Sequence, residues 1–452
     1  MPETQTQKTQ TQKNPLAKSF NGLSLIKFAF PSIIMMVFMG LYTITDTIFV
    51  ARFVGTNALS SINIVCPVIN IIVGLGTMLA AGGNAIVAKK LGSGKTEEAR
   101  SNFSLIILTG IMTGLIITFI GLLFLDEIIL GLGAGKILFP YCRDYLTIQL
   151  IFTVGNIMQV LYQSLFVTAG KPALGLTLSV LAGISNITLD YIFIVWLHMG
   201  IKGAALATGI GYMIPASFGT AFFMTGQSEL HFAKPQMDVS VLLKSCSNGA
   251  SEMVSQMSTA VTTFLFNAAM MHLLGTDGVA AITVIIYSQF LLTTLYIGFS
   301  MGVAPVISFN YGSKNTKHLE KVIRICFCFI WSISVCIFLF SFFAGENIAG
   351  IFAANNKNVF EITKNGFKIF SFGFLFSGCN VFASALFTAL SNGKASAIIS
   401  FLRTFGFIGI SLLVFPELFG VTGVWLAIPA AEFFTLMLTI CLLIREKRYS
   451  PQ

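Results

Sequence analysis

Twelve apolar stretches of more than twenty residues, each long enough to cross a bilayer as a helix, divide this chain from end to end. They run at 25–51, 57–88, 101–125, 140–168, 173–197 and 202–226, then at 241–273, 278–310, 321–344, 360–389, 395–416 and 421–444. A backbone in lipid must satisfy its own N–H and C=O groups, so such segments have one open solution, helix packed on helix. Composition agrees: 55% of residues are hydrophobic, 10% are charged, and the mean hydropathy of +0.84 excludes a water-soluble globule. The expected fold class is an all-α membrane protein with twelve transmembrane helices.

Charge then sets the organisation. The polar, low-complexity residues 1–20 read as a disordered tail, and no cleavable leader follows, because the first apolar segment is too long. Residues 227–240 (QSELHFAKPQMDVS) are the most polar interior stretch and join a six-helix lobe at 21–226 to a second at 241–445, with a short tail at 446–452. Placing both termini in the cytoplasm assigns 20 Lys/Arg to that side and 7 to the other, out of 27. Basic residues stay inside, so the net charge of +9 reports membrane orientation and not a nucleic-acid partner. The expected location is the cell membrane, the expected state a monomer.

The two halves repeat. VGTNALSSI at 54–62 matches LGTDGVAAI at 274–282, LGS at 91–93 matches YGS at 311–313, and MGIKGAALA at 199–207 matches FGVTGVWLA at 419–427. All three pairs are 220 residues apart, which indicates an internal duplication. Parallel six-helix repeats place a central cavity between two bundles.

Polar residues on the apolar helices fall into stripes. Met35, Met39, Tyr42, Asp46 and Phe49 share a face of span one; Asn63, Asn70, Thr77 and Asn84 recur every seven residues in span two. Gln149, Asn156 and Gln163 do the same in span four, with Gln159 alongside, and Asn248, Glu252, Ser255, Thr259 and Thr262 form a stripe in span seven. Any one such residue serves interhelical hydrogen bonding; four seams together favour a polar cavity. The carboxylates weigh most, because a charge within a membrane span costs about 2.5–3.5 kcal/mol on insertion scales. Asp46, Asp190 and Thr208 all fall roughly 10 Å below the outer boundary at 1.5 Å per residue, and Asn186 lies one turn before Asp190. The 220 offset carries Asp46, Asn186, Asp190 and Thr208 onto Phe266, Gly406, Ile410 and Ile428, so this layer belongs to the amino-terminal lobe alone. Two carboxyls at one level can share a proton, and a bound organic cation would expel it. Glu252 and Glu432 also lie inside the membrane; Glu432 either pairs with Arg403 or faces the cavity. The methionines suit a pliable pocket for varied aromatic shapes, with core packing the alternative for each.

At these residues the chain resembles the multidrug and toxic compound extrusion (MATE) family, in its DinF-like and MepA-like branch. The motifs are DTIFVARFVGTNAL (46–59), GNAIVAKKLGSG (83–94), GKP and NITLD (170–172, 186–190) and GIKGAALAT (200–208). The resemblance implies a V-shaped antiporter of two lobes that exports cationic or amphipathic compounds in exchange for protons or sodium. It implies ion coupling at Asp46 with Asn186, Asp190 and Thr208, supported by Tyr42 and Gln163; Gln163 stands where relatives carry Asn. The expected substrate cavity comprises Met35, Met39, Asn70, Gln149, Asn156, Glu252, Ser255 and Thr259. The sodium-coupled branch has an acid in its tenth span, and residues 369–388 hold none.

Two other function classes find less support in the sequence. A flippase for lipid-linked saccharides would want a cationic cavity, and the amino-terminal spans hold no Lys or Arg at mid-depth. A membrane-embedded enzyme lacks a nucleophile–base set, a phosphate loop or a metal-spaced cluster: the four histidines are isolated, the eight cysteines scattered. No cofactor or metal is expected beyond the coupling ion, and the partners are small-molecule drugs and the bilayer.

Overall fold

The structure, a computed structural model, describes residues 15–226, 228–353 and 356–449, and all regular structure among them is helical. The spans of the amino-terminal half are α1 (Gly22–Val54), α2 (Thr56–Gly92), α3 (Thr96–Leu123), α4 (Phe139–Thr168), α5 (Pro172–Trp196) and α6 (Ile201–Met224). A 74-residue helix, Val239–Gly312, follows; Gly275, at φ 63°, breaks it into α7 (239–274) and α8 (276–312). Then come α9 (Thr316–Ala353), α10 (Lys357–Ala389), α11 (Gly393–Phe419) and α12 (Val421–Tyr449). With the break at Gly275 counted, twelve spans stand where the sequence puts them, although the expected loop at 274–277 shrinks to one residue.

The duplication is written into the backbone. Gly55 (φ 111°) turns α1 into α2 as Gly275 turns α7 into α8, and Gly200 (φ 58°) and Gly420 (φ 57°) open α6 and α12. Each pair is 220 residues apart, and each position needs the positive φ that glycine adopts freely. α4 bends by 54° at Phe152, and α10 passes through a 3₁₀ turn at Ser371–Gly373, its counterpart.

Small residues let the lobes touch, and they do so symmetrically. A Cβ on Gly92 of α2 would land on the Phe309 carbonyl of α8, and one on Gly312 would land on the Lys89 carbonyl. These two contacts exchange under the 220 offset. So do Gly82 against Gly249 and Gly302 against Ala29, where a Cβ on Gly302 would meet Ala29 Cα at 2.9 Å. All lie in the half of the bundle that carries the termini. Towards the middle the approach relaxes, to 3.3 Å between the Gly40 Cβ position and Thr294 and 3.4 Å between that of Gly74 and Gln256.

One expectation about the connecting segments changes. Packing begins at Pro15, ahead of the expected boundary at residue 20: Leu16 and Phe20 are buried apolar anchors, and the Phe20 amide reaches His318 Nε2 at 3.4 Å. Residues 1–14 of that tail, and 450–452 at the other end, lie outside the described residues. The linker is strapped to α3, with the Ala233 and Gln236 amides donating to Ser104 and Ser101 Oγ at 2.9 and 3.0 Å.

Candidate functional site

Glycines on α5 and α6 bring the polar stripes of the amino lobe together. At Gly183 the absent Cβ makes room for Phe38 and Tyr42 of α1, whose Cδ1 would lie 3.2 Å from it. At Gly211, α6 closes on α5, with Asn186 Cβ 3.6 Å from the Cβ position. Three helices thereby converge one turn short of where α1 and α5 each change to π-helix, at Val50–Val54 and Tyr191–Trp196.

The carboxyls of Asp46 and Asp190 adjoin each other there. Asp190 is 0% exposed, and both of its oxygens, with Asp46 Oδ1 and Asn186 Oδ1, are buried without a donor among the described residues. Asn186 Nδ2 donates to Thr208 Oγ1 at 3.4 Å, and Thr208 in turn donates to the Ala204 carbonyl at 3.0 Å. Tyr42, one turn before Asp46, reaches Gln159; Tyr212 lines the same small cavity as Tyr42, and Tyr145 lies close enough to both carboxyls to feel their charge. A cavity of about 10 Å³, room for one small guest, lies between Tyr42, Gln159, Asn186, Thr208 and Tyr212. Ionised carboxylates only accept, so acceptors facing acceptors are satisfied when a proton or a cation bridges them.

Tyr42, Asp46, Asn186, Asp190 and Thr208 thus form one cluster. Gln163 stands apart: its Nε2 donates to Ser179 Oγ at 3.1 Å and to Met39 Sδ at 3.2 Å. Ser179 is eleven residues before Asp190 on α5, about 16 Å along the helix, too far for Gln163 to touch the carboxyls. Of the expected cavity residues, Gln149 and Asn156 are buried on α4, Gln149 one turn after Tyr145 with its Nε2 unpaired among the described residues. Met35 is fully packed at 1% exposure. Asn70 lies against Cys66, one turn earlier on α2. Ser255 and Thr259 return their hydroxyls to their own helix, at 2.9 and 3.1 Å, and Glu252 is half-buried on the same stripe of α7. That stripe and the carboxyl cluster are separate features.

The sequence reading missed Tyr145 and Tyr212. Each sits one turn from a residue it had picked out, Gln149 and Thr208, so extending the stripes by one turn finds both. Glu432 resolves as paired: its Oε1 accepts from Arg403 Nε at 2.9 Å and Nη2 at 2.6 Å, its Oε2 from Asn380 Nδ2 at 2.8 Å.

The MatE family model matches twice, at residues 31–192 and 253–414. The Multidrug export protein MepA of Staphylococcus haemolyticus is 26% identical over 423 residues, 90% of each chain. MepA of Staphylococcus aureus is 24% identical over 432 residues, covering 93% of this chain and 92% of its own. Among solved structures, a mutant of the Vibrio cholerae MATE transporter VcmN superposes with a TM-score of 0.87 at 21% identity, covering 97% and 98% of the two chains.

Proposed function

The chain belongs to the MatE family, and we propose that it is a multidrug exporter that expels organic cations in exchange for protons. The observation that supports the coupling is the Asp46–Asp190 pair, with three of its four carboxyl oxygens buried and without a donor among the described residues. With one proton between them the carboxyls satisfy each other; when a cation approaches, the doubly ionised pair binds it and the proton leaves. Competition for one charge is then the coupling, and it needs no contact between drug and proton. Asn186, Thr208, Tyr42 and Tyr212 line the small cavity next to the pair. The drug would lie in the cleft between lobes, against Met39, Asn70, Glu252, Ser255 and Thr259, which are at least partly exposed.

Both termini are assigned to the cytoplasm on the asymmetry of basic residues. The glycine crossings then seal the cytoplasmic half, and the described state is the one open to the outside. Alternating access requires those crossings to part. The relatives named as multidrug export proteins support the substrate class.

Ethidium efflux from everted vesicles, under proton and sodium gradients imposed separately, tests the reading. A proton gradient alone should drive transport. Transport driven by sodium alone would transfer the coupling to that ion, for which the same acceptor oxygens are suited. Binding of an anionic lipid pyrophosphate with no cation transport would replace exporter by flippase.

A further inference from the structure

We propose that protons reach the carboxyl pair through a vestibule of their own on the face opposite the termini, and not through the cleft between lobes. The inference rests on the proton-antiport reading above. A cavity of about 620 Å³ opens on that face, lined among others by Val54, Tyr141, Asp144, Ile194, His198 and Lys202. Its lining comes from the end of α1, the start of α4 and the turn between α5 and α6, with no residue of the carboxy-terminal lobe. It is therefore a feature of the amino lobe, like the carboxyl pair itself.

The cavity lies beyond the carboxyl cluster along both α1 and α5. Ile194 lies one turn beyond Asp190, about 6 Å along the helix, and Val54 two turns beyond Asp46. Tyr145, buried on α4 within electrostatic reach of both carboxyls, is the next residue after Asp144, whose carboxylate pairs with Lys202 Nζ at 3.3 Å. Between cavity and carboxyls α1 and α5 are both π-helical, at Val50–Val54 and Tyr191–Trp196. A π turn takes main-chain groups off the regular ladder and is found frequently at functional sites. Here the two widened turns flank one short layer of side chains. His198 adds a second sign of constraint, a non-glycine residue at φ 52°.

The mouth holds groups suited to gathering protons: Asp144, Lys202, His198 and Tyr141, with the Arg143–Asp126 pair (2.9 Å) beside it. Near the carboxyls stand Tyr42, Tyr145 and Tyr212. A proton captured at the mouth passes the Tyr145 layer to Asp46 or Asp190, while the cation leaves by the cleft. Separate doors let the incoming proton displace the outgoing drug without the two passing each other.

The test uses the purified full chain in liposomes, with ethidium efflux driven by a pH gradient. Met199→Trp fills the cavity; Asp144→Asn combined with Lys202→Gln removes its charges at constant volume. Both should slow turnover about tenfold, more as the proton-supplying side is made alkaline, because delivery then limits the cycle. Ethidium affinity and the number of protons released per bound drug in detergent should stay at wild-type values, since a route alters rates and not equilibria. Concentrated mobile buffer should restore the Asp144→Asn/Lys202→Gln protein and leave Met199→Trp slow. Wild-type turnover in whichever variant folds, or a changed affinity or proton count, overturns the vestibule. A wild-type protein that releases no proton on binding drug overturns the antiport reading instead, so the two failures are told apart.

Discussion

The two lobes hold buried acids in opposite electrical situations. In the carboxy-terminal lobe Glu432, 1% exposed, is met by the Arg403 guanidinium and by the Asn380 amide, and the Asn380 carbonyl accepts in turn from Thr439 at 3.3 Å. In the amino-terminal lobe Asp46 and Asp190 adjoin each other, and neither oxygen of Asp190 meets a donor among the described residues. The 220 offset sets Tyr212 opposite Glu432, so on α6 and α12 the same place in the repeat carries a tyrosine in one lobe and the paired acid in the other. A carboxylate met on both oxygens by a guanidinium and an amide is held as a structural ion pair. A charge left unanswered is free to trade a proton for a cation. One duplicated scaffold thus carries an ion-paired acid in one lobe and, on the function proposed above, a titrating pair in the other.

The largest effect expected is on transport through the titrating lobe. Asp46→Asn should fold and reach the membrane yet lose coupled efflux by about 100-fold or more, as removal of a charge-transferring group does. Asp190→Asn should do likewise, and the double replacement should be little worse than either, because partners in one proton site are not additive. Normal proton release from Asp46→Asn would break the comparison outright.

Stability should respond in the other lobe. Glu432→Gln strands the Arg403 guanidinium and should cost about 3 kcal/mol, read as a lowered melting temperature. Replacing both partners by methionine should recover most of that loss and leave proton release intact. If Glu432→Gln instead melts like wild type and loses proton coupling, the roles of the lobes are reversed.

A pH series sharpens the contrast further. Protonation removes the negative charge that attracts a cation, so ethidium affinity should fall as pH falls through the titration of the pair. This dependence should vanish in Asp46→Asn/Asp190→Asn and persist in the protein with methionine at both 403 and 432. The smallest effects are expected from Tyr145→Phe and Tyr212→Phe, each removing one hydroxyl beside the carboxyls. A loss of about 1 kcal/mol in cation affinity, roughly fivefold, is the scale of one hydrogen bond.

Much of this was legible in the sequence because lipid makes polarity conspicuous. Asp46, Asn186, Asp190 and Thr208 stand out against apolar neighbours, and helical rise places them at one depth. Tyr145 and Tyr212 did not stand out, since tyrosine is ordinary in a span and its hydroxyl declares itself only in three dimensions. Gln163 misled for the opposite reason: it lies on the right helix and near the right face, but the depth of α4 relative to α5 is set by packing. The Arg403–Glu432 pair was visible as a possibility only, because two residues 29 apart on different helices carry no local sign of meeting. The bend at Phe152 has no proline to announce it, and the near-seamless passage from α7 to α8 hangs on one glycine where four residues of loop were expected.

The exchange of glycine contacts under the 220 offset has a consequence for ancestry. An interface in which residue 92 of one half meets residue 89 of the other, and the reverse, is isologous, the kind two identical subunits make about a twofold axis. The fused chain has kept that dyad while its halves diverged in charge. A single six-helix half carries both members of the Gly92–Lys89 contact and both positions of the Gly82–Ala29 contact. Two copies of the amino-terminal half therefore present self-complementary faces to one another, the arrangement from which a gene fusion would start.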